Sequence, residues 1–427
     1  MRRPRSTEDA KCKLCATLVV AAALLVPAAA QAAATSIGPL PITSSSAPFG
    51  AIVAHSAPGM TEREYVLRGH ARTFTNSGPT GQKPAYATRV LVRRPAHFHG
   101  EVVVELLNNS AGFEVEPIWD YTHGQLARQG IAWVGLTYDP AAIGFLEGWN
   151  QQRYAALDGG MADPSQAWDI VSQLGGLIRN DKRSDYPLGG QRVRRQLLTG
   201  YSGPAPTVAA WANHFGRTGS SPYDGYLIGA SYGSVASLSA SGEAPGKVSH
   251  ALSDPVIRLD TETEFLDTHG ATRQADGTHL RTWEIAGGSH IDKSLAHRFD
   301  EMLGRDLGAA PISTQCTKSL NPLSVGDASD AAVADLFRWA GGGRAAPAAA
   351  RIKLTSGGDI VRDADGNARG GLRLPGVAVP TGGLEPTNVP ANASPLAQGF
   401  CPLIGSFNPF GAPRLAALYP TNHAYVH

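Results

Sequence analysis

A serine inside a glycine-rich turn is the residue of this chain best suited to nucleophilic chemistry. Ser202 lies in the tetrapeptide GYSG (residues 200–203), after an apolar run that predicts a strand and before a segment compatible with a helix. Pro204 and Pro206 fall in the first turn of that helix, where a missing N–H costs little. A strand, a sharp turn and a helix expose a serine hydroxyl and direct helix N–H groups towards an oxyanion. The sequence therefore predicts Ser202 as a nucleophile and the N–H of Gly203 as an oxyanion donor.

A carboxylate and a histidine follow Ser202 in the order that such a nucleophile requires. The histidine accepts the serine proton, and the carboxylate holds the histidine in the required tautomer. His290 follows a predicted strand and a Gly-Gly pair, and an acidic loop follows the predicted strand before it. Glu264 is the favoured acid because it lies well past the start of that strand. Glu262 has the same parity and stays open as the acid, while Asp260 is less favoured because it is close to the strand itself.

The strict G-x-S-x-G pattern occurs elsewhere in the chain, around Ser231. The sequence that follows it, SVASLSASGEAPG, is poor in helix formers, so a nucleophile here would lack its helix. We therefore favour Ser202, which departs from the pattern only at Pro204. The second oxyanion donor is expected near Asn109, in the loop after the predicted strand 100–107. The alternative for each of these residues is a turn position without chemistry.

The predicted elements alternate between strands and helices, which is typical of an α/β fold with a mostly parallel sheet of about eight strands and helices on both faces. Ligands in such sheets bind beyond the carboxyl ends of the strands, where Ser202, the acidic loop and His290 all emerge. Residues 35–60 are predicted to be irregular. Strands are predicted at 64–67, 87–93, 100–107, 131–137, before the turn at 200, and at 225–230, 255–259 and 282–286, with helices at 119–129, 164–179, after the turn and at 327–339.

Residues 1–32 read as a secretory signal peptide, with a basic start, a short apolar run and an A-x-A site. The apolar run is too short to span a bilayer, so no membrane anchor is expected after cleavage. The remaining 32 basic and 34 acidic residues give a net charge of about −2, and no basic stripe suggests a nucleic-acid partner. Residues 33–427 are expected to form one domain, with a core over about 50–342 and a Pro- and Gly-rich extension over about 343–427 that wraps it.

Two cysteines remain after the leader, Cys316 and Cys401, and an oxidising compartment favours a disulfide between them. No metal site is predicted. Asp363 begins a segment that suggests a calcium loop, but the segment lacks the required glycine position and a late glutamate, so a turn is favoured. Trp119, Trp149 and Phe145 are candidates for an apolar substrate pocket, although ordinary core positions are slightly favoured for them.

Several stretches together resemble a group of mostly bacterial proteins, many of them exported, called alpha/beta hydrolase domain proteins. The resemblance covers nearly the whole chain from about residue 50. It implies an α/β-hydrolase fold and ester-type hydrolysis, with the nucleophile and histidine positions of the family falling on Ser202 and His290. Family members usually carry Gln-Ser where this chain has Gly203 and Pro204. The matching stretches are ATRVLVRRP (87–95), GEVVVELLN (100–108), RYAAL (153–157), AWDIVSQLGGLIR (167–179), LLTGYSGPAPTVAAWAN, DTETEF, TWEIAGGSH and DADGNARGGLRLP (363–375).

The function expected from these observations is hydrolysis of a small-molecule carboxylic ester by an exported serine hydrolase, without a metal or organic cofactor. Ser202 is the predicted nucleophile, His290 the base and then acid, and Glu264 the residue that orients the histidine. Two alternatives stay open: another acyl chemistry of the same triad, such as acyl transfer or peptide or lactone cleavage, and a non-catalytic exported binding protein on the same scaffold.

Overall fold

The computed structural model describes residues 36–40, 47–51, 59–180, 182–183, 186–216, 221–231, 233–268 and 270–426. The predicted signal peptide, residues 1–32, lies outside the described residues. Within the described ranges, no helix combines the length and the apolar character needed to cross a membrane.

Strands and helices alternate along most of the described chain. The strands are β1 Ser36–Pro39, β2 Met60–His70, β3 Phe74–Thr75, β4 Gly78–Pro79, β5 Ala85–Pro95, β6 Glu101–Leu106, β7 Ala132–Leu136, β8 Arg195–Tyr201, β9 Gly225–Gly229, β10 Ser234–Ala236, β11 Glu243–Pro245, β12 Val256–Thr261, β13 Leu280–Ile285, β14 Gly382–Glu385 and β15 Ser406–Pro409. The helices are α1 Pro117–Gln129, α2 Pro140–Trp149, α3 Gln151–Tyr154, α4 Ala167–Asn180, α5 Ala205–Phe215, α6 Thr263–Thr268, α7 Lys293–Leu307, α8 Val325–Ala340, α9 Pro375–Ala378, α10 Pro395–Phe400, α11 Ala412–Leu418 and α12 Asn422–Val426.

A nine-stranded sheet, in the order β1-β2-β5-β7-β6-β8-β9-β12-β13, forms the centre of the fold. The pairings from β7 through β13 are parallel, whereas β1, β2, β5 and β7 pair antiparallel. The predicted α/β class with a mostly parallel sheet is confirmed. The prediction of irregular chain over 35–60 is wrong at β1, a short strand that pairs with β2 at the edge of the sheet and brings the strand count to nine.

The central strands carry near-continuous apolar runs because helices and loops cover them. All of Ala132–Leu136, and all but the first residue of Glu101–Leu106, are buried, as expected for parallel strands. Helix α5 packs on β8 and β9, and α8 packs on α1 and on strands β8, β9 and β12. The strand β8, the turn after it and α5 therefore form one packed unit around residue 202.

The C-terminal extension returns to the edge of the sheet from which His290 emerges. Cys316 and Cys401, 85 residues apart in the chain, form a disulfide. The N–H of Ile291 donates to the carbonyl of Leu403 (2.9 Å), and the N–H of Asn321 donates to that of Gly405 (2.9 Å). The extension is thus bonded directly to the residue that follows His290.

Candidate active site

The turn between β8 and α5 holds Ser202 in a strained backbone conformation. Its φ of 63° is in the left-handed region, which non-glycine residues rarely occupy. The N–H of Ser202 donates to the carbonyl of Gly229 (2.9 Å), and its own carbonyl accepts from Ala205 (2.9 Å). A Cβ at Gly200 would lie 2.8 Å from the Cβ of Pro204, so only glycine permits this close turn. A strained backbone conformation that neighbouring hydrogen bonds hold in place is typical of residues at functional sites.

Ser231, at the other G-x-S-x-G pattern, has a different environment. Its side chain is buried, with 1% of the residue exposed. Its hydroxyl donates to Asp260 Oδ1 (3.3 Å) and accepts from Arg258 Nη2 (3.0 Å). The chain after it forms the short strand Ser234–Ala236 rather than a helix. Ser231 therefore takes part in a buried polar cluster, whereas Ser202 is half-buried and lines a cavity.

Glu264 is the acid that contacts His290. It lies in the first turn of α6, and its Oε1 is 2.7 Å from His290 Nδ1. Its Oε2 accepts from the backbone N–H (2.5 Å) and the hydroxyl (2.7 Å) of Thr261. Burial alone would raise the pKa of Glu264, but the hydrogen bond and charge of His290, followed by the bonds from Thr261, lower this pKa below its ordinary value. Because an ionised carboxylate only accepts, Nδ1 of His290 carries the proton and Nε2 can act as an acceptor.

The two other acids of this segment have other partners. Glu262 Oε1 accepts from the N–H of Gly287 (2.5 Å), and its Oε2 accepts from Arg362 Nη2 (2.8 Å). Burial raises the pKa of Glu262, opposed by Arg362. Asp260 pairs with Arg258 (3.1 Å), although burial still raises its pKa. The structure thus separates the three carboxylates by their contacts, and only Glu264 has His290 as a partner.

His290 is held from several sides. Its backbone N–H donates to Thr263 Oγ1 (2.9 Å), and its carbonyl accepts from the Tyr201 hydroxyl (2.8 Å). The rings of Tyr201 and His290 are 5.4 Å apart. Tyr201 precedes Ser202, so one side chain links the turn of the serine to that of the histidine. The sequence pattern predicts no role for Thr263, and the position of Tyr201 in GYSG is the only signal for a role of that tyrosine.

The loop after β6 lies against the serine turn. Asn108 Nδ2 donates to the carbonyl of Tyr201 (3.1 Å), and Asn108 Oδ1 accepts from the N–H of Ser110 (2.8 Å). A Cβ at Gly203 would lie 2.2 Å from Ser110 Oγ, so this loop and the serine turn touch. Asn109 is half-buried, and its carbonyl accepts from Gly112 (2.9 Å). Asn108, Ser110 and Ala111 of this loop line the cavity, and Asn109 is not among the lining residues.

Ser202 and His290 line the same cavity, which has a volume of about 320 Å³. Its polar side chains gather at the serine end, and most of the remaining wall is apolar. The wall comes from the loop after β6, from α7 and from the C-terminal extension. Its members are Asn108, Ser110, Ala111, Phe113, Val115, Pro117, Tyr201, Ser202, His290, Ile291, Leu295, Phe299, Pro395, Leu396, Gly399, Phe400 and Leu403.

The three aromatic residues considered for a substrate pocket lie elsewhere. Trp119 is buried with the guanidinium of Arg93 above its ring (4.5 Å). Phe145 and Trp149 pack edge-on against Phe49, with ring centroids 5.0 and 5.2 Å apart. All three pack in the core or its cover, which is the interpretation that the sequence slightly favours over a substrate pocket.

Two ion pairs, one buried and one partly buried, hold the loop that forms one wall of the cavity. Phe113, Val115 and Pro117 line the cavity, and the residues between them point to strand β5. Glu114 Oε2 accepts from Arg89 Nη1 (2.9 Å), and Glu116 Oε1 accepts from Arg93 Nη2 (2.7 Å). Alternate residues of the loop therefore direct apolar side chains to the cavity and carboxylates to the arginines of β5. The backbone of this wall is therefore anchored independently of what the cavity contains.

Within the described part of the chain, no group of three or more His, Cys, Asp or Glu residues is arranged to hold a metal ion. Asp363, which begins the segment weighed as a calcium loop, uses its Oδ1 to accept from the N–H groups of Asp365 (2.9 Å) and Asn367 (3.0 Å). This is the geometry of a turn stabilised by its own side chain.

Three solved structures illustrate what the chain is similar to. A candidate dienelactone hydrolase from Klebsiella pneumoniae subsp. pneumoniae MGH 78578 is 14% identical, over 57% of this chain and 99% of the other, with a TM-score of 0.31. Methylesterase BT1017 is 13% identical, over 66% and 60%, with a TM-score of 0.33. A zinc-bound cold-adapted esterase from an Arctic intertidal metagenomic library is 14% identical, over 53% and 85%, with a TM-score of 0.27. No curated protein matches the chain.

The family comparison covers almost all of the described chain. Residues 36–427 match the family described as "Alpha/beta hydrolase domain". The match begins at β1 and includes the serine turn, the acidic segment, the histidine turn and the whole C-terminal extension. The observed sheet, with its parallel strands leading to these turns, agrees with it. This chain belongs to the alpha/beta hydrolase domain family.

Proposed function

We propose that this protein is an exported serine hydrolase that cleaves a carboxylic ester through an acyl-enzyme on Ser202. The observation that carries the proposal is the contact of 2.7 Å between Glu264 and the Nδ1 of His290, beside a cavity that Ser202 also lines. The strained φ at Ser202 supports the same role. Family membership supports a hydrolase in general, and the contacts support this choice of residues.

In the proposed reaction, Ser202 Oγ attacks the ester carbonyl carbon while its proton passes to His290 Nε2. Glu264 accepts the hydrogen bond from Nδ1–H and stabilises the imidazolium that forms. The carbonyl oxygen becomes an oxyanion beside the N–H of Gly203, in the turn that precedes α5. Collapse of this intermediate breaks the ester C–O bond, and His290 gives its proton to the departing alcohol. A water molecule then attacks the acyl carbon with the same proton transfers, and breakage of the bond to Ser202 Oγ releases the carboxylic acid and restores Ser202.

The second oxyanion donor in this proposal comes from the loop after β6. Asn109 was the expected residue, and Ser110 lies closer to the reacting turn, because its Oγ would be 2.2 Å from a Cβ at Gly203. The Asn108 side chain fixes the loop to the turn through the carbonyl of Tyr201. We assign the donor to this loop and expect its hydrogen bond to form when the oxyanion does.

A fluorophosphonate, which reacts with an activated serine, tests the proposal. The mature protein is treated with the reagent, and the adduct is located by peptide mass spectrometry. We expect the adduct on Ser202, its loss in Ser202→Ala and His290→Ala, and its retention in the matched control Ser231→Ala. An adduct on Ser231 would contradict the choice of nucleophile. A folded protein that forms no adduct would instead favour the non-catalytic binding protein.

Export is the part of the proposal that rests on the leader sequence and the disulfide. A disulfide persists in oxidising compartments, and the structure contains one between Cys316 and Cys401. N-terminal sequencing of the protein recovered from the exported fraction of the host should show a start close after residue 32. Recovery of the chain with its first residues intact would contradict the assignment of residues 1–32 as a signal peptide.

A further inference from the structure

The C-terminal extension forms one wall of the cavity at Ser202, here called the extension wall. Leu396 and Phe400 of helix α10, and Leu403 after it, line the cavity and are half-buried. Phe400 faces Phe299 of α7, with ring centroids 6.5 Å apart at an interplanar angle of 71°. The apolar surface of these side chains is therefore available to whatever enters the cavity, while their backbone belongs to the extension rather than to the sheet.

The chemistry of the lining limits what the cavity can bind. Among the described residues that line it, none is an acid, a lysine or an arginine, and the polar groups cluster near Ser202. A charged group placed deep in this cavity would lose its hydration and find no partner of opposite charge. An uncharged apolar group would instead gain from burial at about 25 cal/mol per Å² of surface. The polar end suits the ester, and the apolar end suits a neutral hydrocarbon group.

The volume of the cavity sets the size of that group. About 320 Å³ is near the lower limit of typical ligand pockets. If each non-hydrogen atom takes up the ~30 Å³ of a water molecule in the liquid, roughly ten such atoms fill the cavity. A medium-length acyl or alcohol chain, or one aromatic ring with a short linker, has this size.

The extension wall is fixed to the rest of the protein next to Phe400 and at Leu403. Cys401, next to Phe400, is bonded to Cys316, and its carbonyl accepts from the N–H of Asn388 (2.9 Å). The carbonyl of Leu403 accepts from Ile291, the residue after His290 (2.9 Å). The wall thus keeps a set position relative to the histidine.

We propose that Leu396, Phe400 and Leu403 determine substrate selectivity, and that the substrate is an ester with a neutral apolar group of about ten non-hydrogen atoms seated against them. The inference rests on the proposed ester hydrolysis for its reaction, and on the cavity wall for its specificity. It assigns to the C-terminal extension a binding role in addition to covering the fold.

Chain-length dependence of the specificity constant tests the inference. We compare kcat/KM for p-nitrophenyl esters from acetyl to octanoyl, and separately for acetate esters of alcohols of increasing length. We expect kcat/KM in one series to rise about fourfold per methylene group, the rate equivalent of burying that group, until the cavity is full. The series that shows the rise identifies which side of the ester occupies the cavity.

Substitutions at Phe400 change the cavity in opposite directions. Phe400→Ala should lower the ratio of kcat/KM between the longest and shortest esters by roughly tenfold, because the ring no longer contacts the chain. Phe400→Trp should move the optimum to a shorter chain, a shift that loss of folding cannot produce. Val389→Ala, at a residue of the same extension that is 51% exposed, is the control and should keep the wild-type profile.

Two results would overturn the inference. One is a set of length profiles that are the same in both Phe400 variants as in the wild type, and the other is hydrolysis of an ester with a carboxylate on the side seated in the cavity as fast as that of its neutral analogue of equal length, such as a succinate half-ester against the pentanoate ester when the acyl side is seated. Binding to Ser202→Ala, followed by calorimetry, separates this outcome from failure of the proposed reaction. Tighter binding of the longest than of the shortest ester in either series, weakened by Phe400→Ala, supports the assigned wall even if the wild type hydrolyses no ester. Equal binding of the longest and shortest esters in both series contradicts it.

Discussion

Replacing Glu264 by glutamine removes the charge beside His290 and keeps almost the same volume. The carboxylate accepts three hydrogen bonds, one from His290 and two from Thr261. Glutamine has a single acceptor oxygen. Because Thr261 presents two donors and His290 only one, we expect the oxygen to face Thr261 and the amide NH₂ to face the imidazole.

This orientation reverses the tautomer of His290. The NH₂ group donates to Nδ1, so the proton of the neutral ring moves to Nε2, and Nε2 can no longer accept the proton of Ser202. Loss of the tautomer and of the charge that stabilises the imidazolium should lower kcat by roughly 10⁴-fold. That factor corresponds to about 5.5 kcal/mol of lost transition-state stabilisation.

Glu262→Gln is the matched control, because it makes the same change two residues away. Its oxygen can keep the bond from Gly287, but the NH₂ group then faces Arg362. We expect a loss of stability of about 1–3 kcal/mol and a change in kcat below about tenfold. Steady-state kinetics on one ester and urea denaturation measure the two quantities. Equal losses of kcat in the two variants, or a larger loss in Glu262→Gln, would refute the assignment of Glu264.

Three further predictions concern the turn, the pH dependence and the disulfide. Gly200→Ala should slow fluorophosphonate labelling and destabilise the fold by about 1–3 kcal/mol, because its Cβ would lie 2.8 Å from that of Pro204; labelling at the wild-type rate would contradict the close turn. The pKa of Glu264 is lowered in the folded state from an ordinary value of 4.5, so its ionisation stabilises the fold above that pH and the contribution is lost as the pH falls through the folded pKa. The difference in free energy of unfolding between wild type and Glu264→Gln, measured by urea denaturation at several pH values, should therefore decrease from neutral to acid pH. A difference that stays constant would argue against the lowered pKa. Cys401→Ser opens a cross-link between residues 85 apart and should lower the free energy of unfolding by roughly 4–5 kcal/mol, measured by denaturation against the oxidised wild type; an unchanged midpoint would contradict this.

The serine turn could be predicted because its signal is local. The apolar strand, the small residues around Ser202 and the prolines after it lie within one short stretch, and each has a position that the others fix. The parallel sheet could likewise be predicted from the alternation of strands and helices. The edge strand Ser36–Pro39 could not, because it is short and its pairing with β2 depends on a chain segment distant in sequence.

Strand alternation could not decide between Glu262 and Glu264, because the two residues are two positions apart and alternation assigns both to the same face. Their contacts depend on Gly287, Arg362 and Thr261, which the fold brings to them from other elements or from a local turn. The helix Lys293–Leu307 was not predicted either, although its buried Leu295, Phe299 and Leu303 recur at helical spacing. That signal was present in the sequence.

The sequence could not predict that the C-terminal extension forms a wall of the cavity. The pairing of Cys316 with Cys401 follows from their number, but it does not say which side chains near Cys401 reach the serine. The bond between Ile291 and Leu403 and the packing of Phe400 on Phe299 place α10 over the cavity.

The alternation in the loop from Phe113 to Pro117 also bears on protein engineering. The residues that face the cavity and the residues that anchor the loop are different ones, since Glu114 pairs with Arg89 and Glu116 pairs with Arg93. Directed evolution can therefore substitute Phe113 and Val115 to accommodate new esters while the ion pairs to the arginines keep the backbone conformation of the loop. Libraries that randomise the anchors as well should yield mostly unfolded clones.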